Sequence, residues 1–166
     1  MGEFRTLFVE TFTVSFFGHR ILERTQFREQ ELETLVRRIL MEKEYTEFLV
    51  GRNGEFDLLV ASTIHRCKRT IRGDNSALVW VMPYLTAEFK ENEKAYRDFY
   101  DEIEICERSA NKHYKAAIQE RNRSMVDRSD FAVFCVQRET GGAWQTMRYA
   151  QSRGVPYRNL CVSMDV

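Results

Sequence analysis

Apolar residues along the chain follow two alternating rhythms, short unbroken runs rich in β-branched and aromatic side chains and longer segments where they recur three and four positions apart. The first run, Phe12-Thr-Val-Ser-Phe-Phe17 stopped by Gly18, predicts a buried strand over 12–17. Over 26–44, Leu32, Leu35, Val36, Ile39 and Leu40 share one helical face with charges between them, so a helix packs on the sheet there. A short strand over 47–50 ends in Gly51-Arg52-Asn53-Gly54, a loop with two positions suited to positive φ. Phe56, Leu59, Val60, Thr63, Ile64, Cys67 and Ile71 mark the next helix, with Asp57 in its first turn and Gly73-Asp74-Asn75 at its end. The unbroken run Ala77-Leu-Val-Trp-Val-Met82, bounded by Pro83, predicts a central parallel strand covered on both faces, with Trp80 in the core. Residues 88–100 are charged and weakly helical, and 102–106 alternate like a short edge strand. A helix over 109–125 carries Ala110, Tyr114, Ala117, Ile118 and Met125 inward, and strand 131–136 follows. Trp144, Met147, Ala150 and Gln151 lie on a helix closed by Gly154, with Pro156 beyond it and a last strand over 157–162.

Strands alternating with amphipathic helices predict an α/β fold: a single Rossmann-like three-layer domain with a mainly parallel sheet, spanning 1–166 with its core over about 12–162. Right-handed crossovers place all strand C-terminal ends on one edge. Three glycine-bearing loops, Gly18-His19-Arg20, Gly51-Arg52-Asn53-Gly54 and Gly141-Gly142-Ala143, each follow a strand and should line the crevice at that edge. The run 130–136 leads into the paired glycines, which open directly into a helix. Free N–H groups and a positive dipole end make that junction a phosphate seat, or else it is an ordinary strand-to-helix turn.

Charge narrows the partners. Lys+Arg 25 against Asp+Glu 25 gives formal net charge +0 over 166 residues, so no global field draws nucleic acid or an anionic membrane, and nucleic acid is the less favoured ligand. Arg66, Lys68, Arg69 and Arg72 form a local basic cluster, read as a solvated helix end. Cys67, Cys106, Cys135 and Cys161 lack zinc-ligand spacing and read as reduced, mostly buried thiols of a cytoplasmic protein. No leader or membrane-spanning run is evident, and no metal site is expected. A nucleophile elbow, a P-loop lysine pattern, His-rich metal spacing and a full dinucleotide fingerprint are all missing.

The pattern resembles the SLOG superfamily, Rossmann-like domains named for the DNA-processing Smf/DprA proteins and the LOG cytokinin-activating phosphoribohydrolases, and more closely its YpsA-like branch. The resemblance rests on Phe17-Gly18-His19-Arg20, Gly51-x-x-Gly54-x-Phe56-Asp57, Arg121-Asn122-x-x-Met125-Val126-Asp127-x-Ser129-Asp130 and Gly141-Gly142-x-Trp144-x-Thr146, over nearly the whole chain. It implies a crevice for a nucleotide or nucleotide derivative as the small-molecule partner; the residues call for no certain cofactor and leave a metal bridging phosphates open. Backbone N–H groups near Gly141, Gly142 and Ala143 would hold phosphate, with Arg20 or Arg52 adding a planar fork. His19 either donates to phosphate or ribose or serves a structural hydrogen bond. Asp57 either meets a sugar hydroxyl or caps its helix, and Trp144 and Phe56 either flank a base or pack on the sheet.

Arg121 matches the LOG arginine and is the one catalytic candidate. Where the LOG pattern places two acids this chain has Met147 and Arg148, and Glu139 lies before the glycines. The expectation is therefore a non-catalytic sensor or sequestering protein, acting with a protein partner. The alternatives are an N-glycosidic bond hydrolase or transferase using Glu139, Asp57 or Glu55, and a single-strand nucleic-acid binder in the manner of Smf/DprA. Tyr96, Phe99 and Tyr100 either form a homo-oligomer interface or cover the sheet.

Overall fold

The structure, a computed structural model, describes residues 9–161. Its framework is a six-stranded sheet in the order β4-β3-β2-β1-β5-β6, and every named pairing is parallel. The strands are β1 (Thr11–Gly18), β2 (Tyr45–Val50), β3 (Ser76–Met82), β4 (Glu102–Ile105), β5 (Phe131–Cys135) and β6 (Tyr157–Asn159). The helices are α1 (Glu29–Glu42), α2 (Glu55–Thr70), α3 (Ala87–Glu91), α4 (Glu93–Phe99), α5 (Tyr114–Asp127) and α6 (Gly142–Ser152). The chain is thus an α/β Rossmann-like domain with helices on both faces of the sheet.

The period-two rhythm of the strands sorts their side chains into two cores. Val14, Phe16, Phe48, Val50, Leu78, Trp80 and Val133 pack against α1 and α2, where Leu32, Val36, Leu40, Val60 and Ile64 are wholly buried. Phe17, Leu49, Val79, Val81, Ala132 and Phe134 face α5 and α6 through Met125, Val126, Ala143 and Ala150. Each fully buried large aliphatic or aromatic side chain stabilises the fold by roughly 1.5–3 kcal/mol relative to leaving it in water. Trp80 lies in the first core, enclosed by Phe89, Tyr96 and Tyr100 at ring-centroid distances of 5.9, 5.1 and 5.4 Å. The aromatic residues of α4 and its C-cap therefore cover the sheet. The short edge strands β4 and β6 leave few unpaired backbone groups for another chain to add to.

Several expectations change. Residues 88–100 form two helices, because the backbone at Asn92 (φ −136°, ψ 38°) interrupts the helical path. Helix α5 begins at Tyr114 rather than near 109. The preceding residues form turns in which the buried Ser109 Oγ donates to the Pro83 carbonyl at 2.6 Å. Strand β6 ends at Asn159; Cys161 makes an antiparallel bridge to Phe27, and Val162 lies outside the described residues. Cys135 and Cys161 lie side by side with their Cα atoms 5.0 Å apart, within disulfide reach, whereas Cys67 and Cys106 are separate and buried. The sequence reads all four cysteines as reduced because they are far apart and lack zinc-ligand spacing; the β5–β6 pairing brings two of them together across 26 residues. Among the described residues no helix is long and apolar enough to cross a membrane.

Candidate functional site

The first four strands step outward from β1 to β4, and α5 then carries the chain back across the sheet to place β5 on the other side of β1. The strand order reverses between β1 and β5, and open α/β sheets leave their binding crevice outside such a switch point. A crevice of about 260 Å3 lies there, lined from β1 by Gly18, His19 and Arg20, and from the β2–α2 connection by Gly51, Asn53 and Asp57. Ile118, Arg121 and Asn122 of α5 close it from below, and Arg138, Gly141, Gly142 and Ala143 from the β5–α6 connection. Phe16 and Phe17 complete the wall.

At the floor, Arg121 is 3% exposed. Its Nη1 donates to the Val81 carbonyl at 2.8 Å, its Nη2 to Asn53 Oδ1 at 2.9 Å and its Nε to Asn122 Oδ1 at 3.0 Å. All three acceptors are neutral. Burial lowers its pKa, opposed by the charge of Asp57, yet a guanidinium stays protonated, so a cation is held without a carboxylate in contact. Asp57, also buried, accepts from the Asn53 backbone N–H at 2.8 Å. Burial raises its pKa, while the Asn53 hydrogen bond and the charges of Arg121 and Arg52 pull the other way. Asn53 thus links the two charged groups. The chain continues as Asn122 Nδ2 donates to Thr146 Oγ1 at 3.2 Å, and that hydroxyl donates to the Gly142 carbonyl at 2.8 Å. The arginine at the floor and the first turn of α6 are therefore one hydrogen-bonded assembly.

The loops above are seated by packing. A Cβ at Gly18 would collide with the Phe56 ring, and one at Gly54 with the Arg20 backbone, whose carbonyl accepts from Glu55 N–H at 2.8 Å. A Cβ at Gly51 would stand 3.0 Å from the Arg121 guanidinium. Gly51 and Gly54 serve close approach; among the described residues only Gly141 and Gly154 have positive φ. Gly141 has φ 91° and turns the chain so that α6 starts at Gly142 with its N-terminus toward the crevice. His19 is buried, and its Nε2 accepts from the Gln137 N–H at 3.0 Å, which leaves Nδ1 to carry the proton of the neutral ring. Burial lowers the His19 pKa, and the charge of Arg138 adds to this. Its structural hydrogen bond is made, and Nδ1–H remains a donor 4.0 Å from where a Gly141 Cβ would stand. At the rim, Arg20 Nε donates to the Asn53 carbonyl at 3.2 Å. Neither Arg20 nor Arg138 has a carboxylate partner among the described residues.

Ten of the thirteen anticipated residues therefore line the crevice: Gly18, His19, Arg20, Gly51, Asn53, Asp57, Arg121, Gly141, Gly142 and Ala143. Arg52 turns away, its Nε donating to Glu88 Oε1 at 2.8 Å and its Nη1 to the Tyr100 hydroxyl at 3.1 Å, with Tyr96 beneath its plane. Gly54 caps α2 behind the wall. Trp144 is half-buried against the second core under Arg148, and Phe56 is fully buried, so neither lines this crevice. Arg138 also lines the crevice, as do Asn122, expected only as part of the Arg121 motif, and Ile118, expected only on the packing face of its helix. Arg138 could have been found as the one cation between β5 and the paired glycines.

Of the carboxylates considered for chemistry, Glu55 accepts from the Leu22 N–H at 2.8 Å and Glu139 is exposed outside the lining, so Asp57 alone faces the crevice. Met147 packs on the second core and Arg148 lies over Trp144. The basic cluster of α2 is tied to acids, through Arg66 to Glu33 at 3.5 Å and Lys68 to Asp101 at 3.3 Å. Among the described residues no group of three or more His, Cys, Asp or Glu side chains gathers as a metal requires.

No family model and no curated protein matches the chain. Two solved structures are similar in fold. One is DNA processing protein A from Helicobacter pylori, described for its single-stranded DNA binding mode, with 16% identity and a TM-score of 0.63 over 93% of this chain and 67% of that one. The other is DNA processing protein A from Streptococcus pneumoniae, with 12% identity and a TM-score of 0.62 over 89% of this chain and 49% of that one, so this chain spans about half its length. Over nearly all of its length the chain therefore has the fold of part of these two DNA-processing proteins.

Proposed function

We propose that the crevice at the β1–β5 switch point binds the phosphate and sugar of a nucleotide, as a binding rather than a catalytic site, in a chain related to the YpsA-like branch of the SLOG domains. The observation that carries this reading is Arg121: a buried guanidinium at the crevice floor, held by neutral acceptors and coupled through Asn122 and Thr146 to the N-terminus of α6. A helix N-terminus and a buried cation on one cavity favour an anion, and the rim guanidiniums of Arg20 and Arg138 extend the same preference outward. The volume of about 260 Å3 is below the ~300–1,000 Å3 usual for larger ligands, which suits one phosphate and sugar with the base toward the mouth. A binding role is favoured because the crevice has one carboxylate, Asp57, and no second acid or nucleophile to share a bond-breaking step.

A thermal-shift screen of 5′-mononucleotides, followed by mass spectrometry of each mixture, tests both parts. A rise in melting temperature with the ligand recovered intact is expected. Release of free base would replace the binding reading with an N-glycosidic reaction, and no shift with any mononucleotide would remove the reading.

A second reading, a single-stranded nucleic acid, is favoured by a specific surface on and beside α6. Arg148 lies over Trp144 at 5.6 Å, and Arg123 and Arg153 flank Tyr149 at 5.7 and 5.9 Å, interleaving cations with aromatic rings. The H. pylori protein of the same fold binds single-stranded DNA. Fluorescence anisotropy with a single-stranded oligonucleotide separates the two: binding that falls steeply with salt and is lost in Arg148→Ala and Arg153→Ala supports this second reading.

A further inference from the structure

We propose that Asp57 and Arg121 together hold a ribose hydroxyl, so that the crevice selects nucleotides with an intact sugar diol. The inference rests on the nucleotide reading above and assigns its sugar. Asp57 is 9% exposed and lines the crevice, and only its Oδ2 meets a donor among the described residues, the Asn53 N–H. Oδ1 is left as an acceptor at the cavity wall. Arg121, 3% exposed, uses three of its five N–H groups on protein acceptors. The two charged groups are joined through Asn53 rather than directly; both line the cavity, the carboxylate with a vacant acceptor and the guanidinium with two N–H groups beyond those bound to protein among the described residues.

The chemistry of that gap selects its occupant. A phosphate oxygen cannot donate and would face Asp57 with like charge. An ammonium donates but cannot accept from Arg121. A hydroxyl does both, giving its proton to Asp57 Oδ1 and taking an N–H from Arg121 on its oxygen. A carboxylate is out of place in a cavity otherwise lined by the guanidiniums of Arg20, Arg121 and Arg138 unless the anion it admits also carries such a donor. A 5′-ribonucleotide has this combination, with the phosphate at the Gly141–Gly142 turn and the diol toward Asp57.

Isothermal titration of the unaltered chain with AMP, 2′-deoxyadenosine 5′-phosphate and 3′-deoxyadenosine 5′-phosphate tests it, with Asp57→Asn as the variant. Asparagine retains an oxygen for the Asn53 N–H but presents an NH2 group where the hydroxyl proton would go. At least one deoxy analogue should bind the unaltered chain about tenfold or more weakly than AMP, the scale of a hydrogen bond to a charged group, and Asp57→Asn should bring AMP down to that analogue. Equal affinity of all three for the unaltered chain overturns the inference and leaves the nucleotide reading standing. A ratio unchanged in a folded Asp57→Asn overturns the role of Asp57. If the screen of all mononucleotides gives no binding, both readings fall together.

Discussion

Asn53 ties three charged residues of the site together. Its backbone N–H meets Asp57, its carbonyl meets Arg20 and its amide oxygen meets Arg121. Asn53→Ala removes only the last contact and leaves a buried guanidinium N–H unanswered, so unfolding in urea should show a loss of about 1–3 kcal/mol. Asp57→Asn should act in the opposite direction. Because burial raises the folded pKa of Asp57 above its ordinary value of 3.8, its ionised form is disfavoured in the fold. The associated stability is full below pH 3.8 and is lost as pH rises through the folded pKa. At pH 7 the asparagine variant should therefore melt higher than the unaltered chain, with the gap closing toward pH 3.8; a gap independent of pH would contradict this. His19 runs the other way. Its folded pKa lies below 6.5, so its contribution is full above pH 6.5 and declines as pH falls below it, and His19→Gln should flatten that acid-side slope.

At the scale of elements, the helix that opens at Gly142 governs the ligand end of the site. Gly141, at φ 91° and ψ 178°, is in a region essentially reserved for glycine, so Gly141→Ala should destabilise the fold by about 1–3 kcal/mol. Gly142 has no such constraint. A Cβ there would stand 2.9 Å from the Gln119 amide, the end of a side chain able to move, so Gly142→Val should fold while weakening a phosphorylated ligand tenfold or more. Unchanged affinity in that variant would take the turn out of the site. Such elements were legible in the sequence because period and punctuation coincide: Leu32, Val36 and Leu40 reveal α1, and Pro83 bounds β3. The start of α5 was not, since Ser109 looks helical by spacing and is instead bound to the Pro83 carbonyl 26 residues away. The glycines at 51 and 54 were legible as special positions, but their reason is the nearness of Arg121 and the Arg20 backbone rather than a left-handed turn.

Across the whole molecule, the sheet order does what no single motif could. Three loops far apart in sequence meet because α5 returns the chain to β1, and the gathering of ten expected residues follows from that crossover. What sequence could not reveal was partner choice at long range. Arg52 sits in the same loop as Asn53 yet pairs with Glu88 and Tyr100, 36 and 48 residues on, because those residues cap the sheet over Trp80. A formal net charge of +0 likewise conceals a crevice with the guanidiniums of Arg20, Arg121 and Arg138 against one carboxylate. That local excess should make ligand affinity fall with ionic strength, most at the exposed Arg20 and Arg138. The central claim, that this crevice is an anion seat for a nucleotide, is tested most directly by calorimetric titration with AMP beside adenosine. The account predicts that AMP binds at least tenfold tighter and that Arg138→Ala narrows the difference; equal binding of the two, or binding of neither, would contradict it.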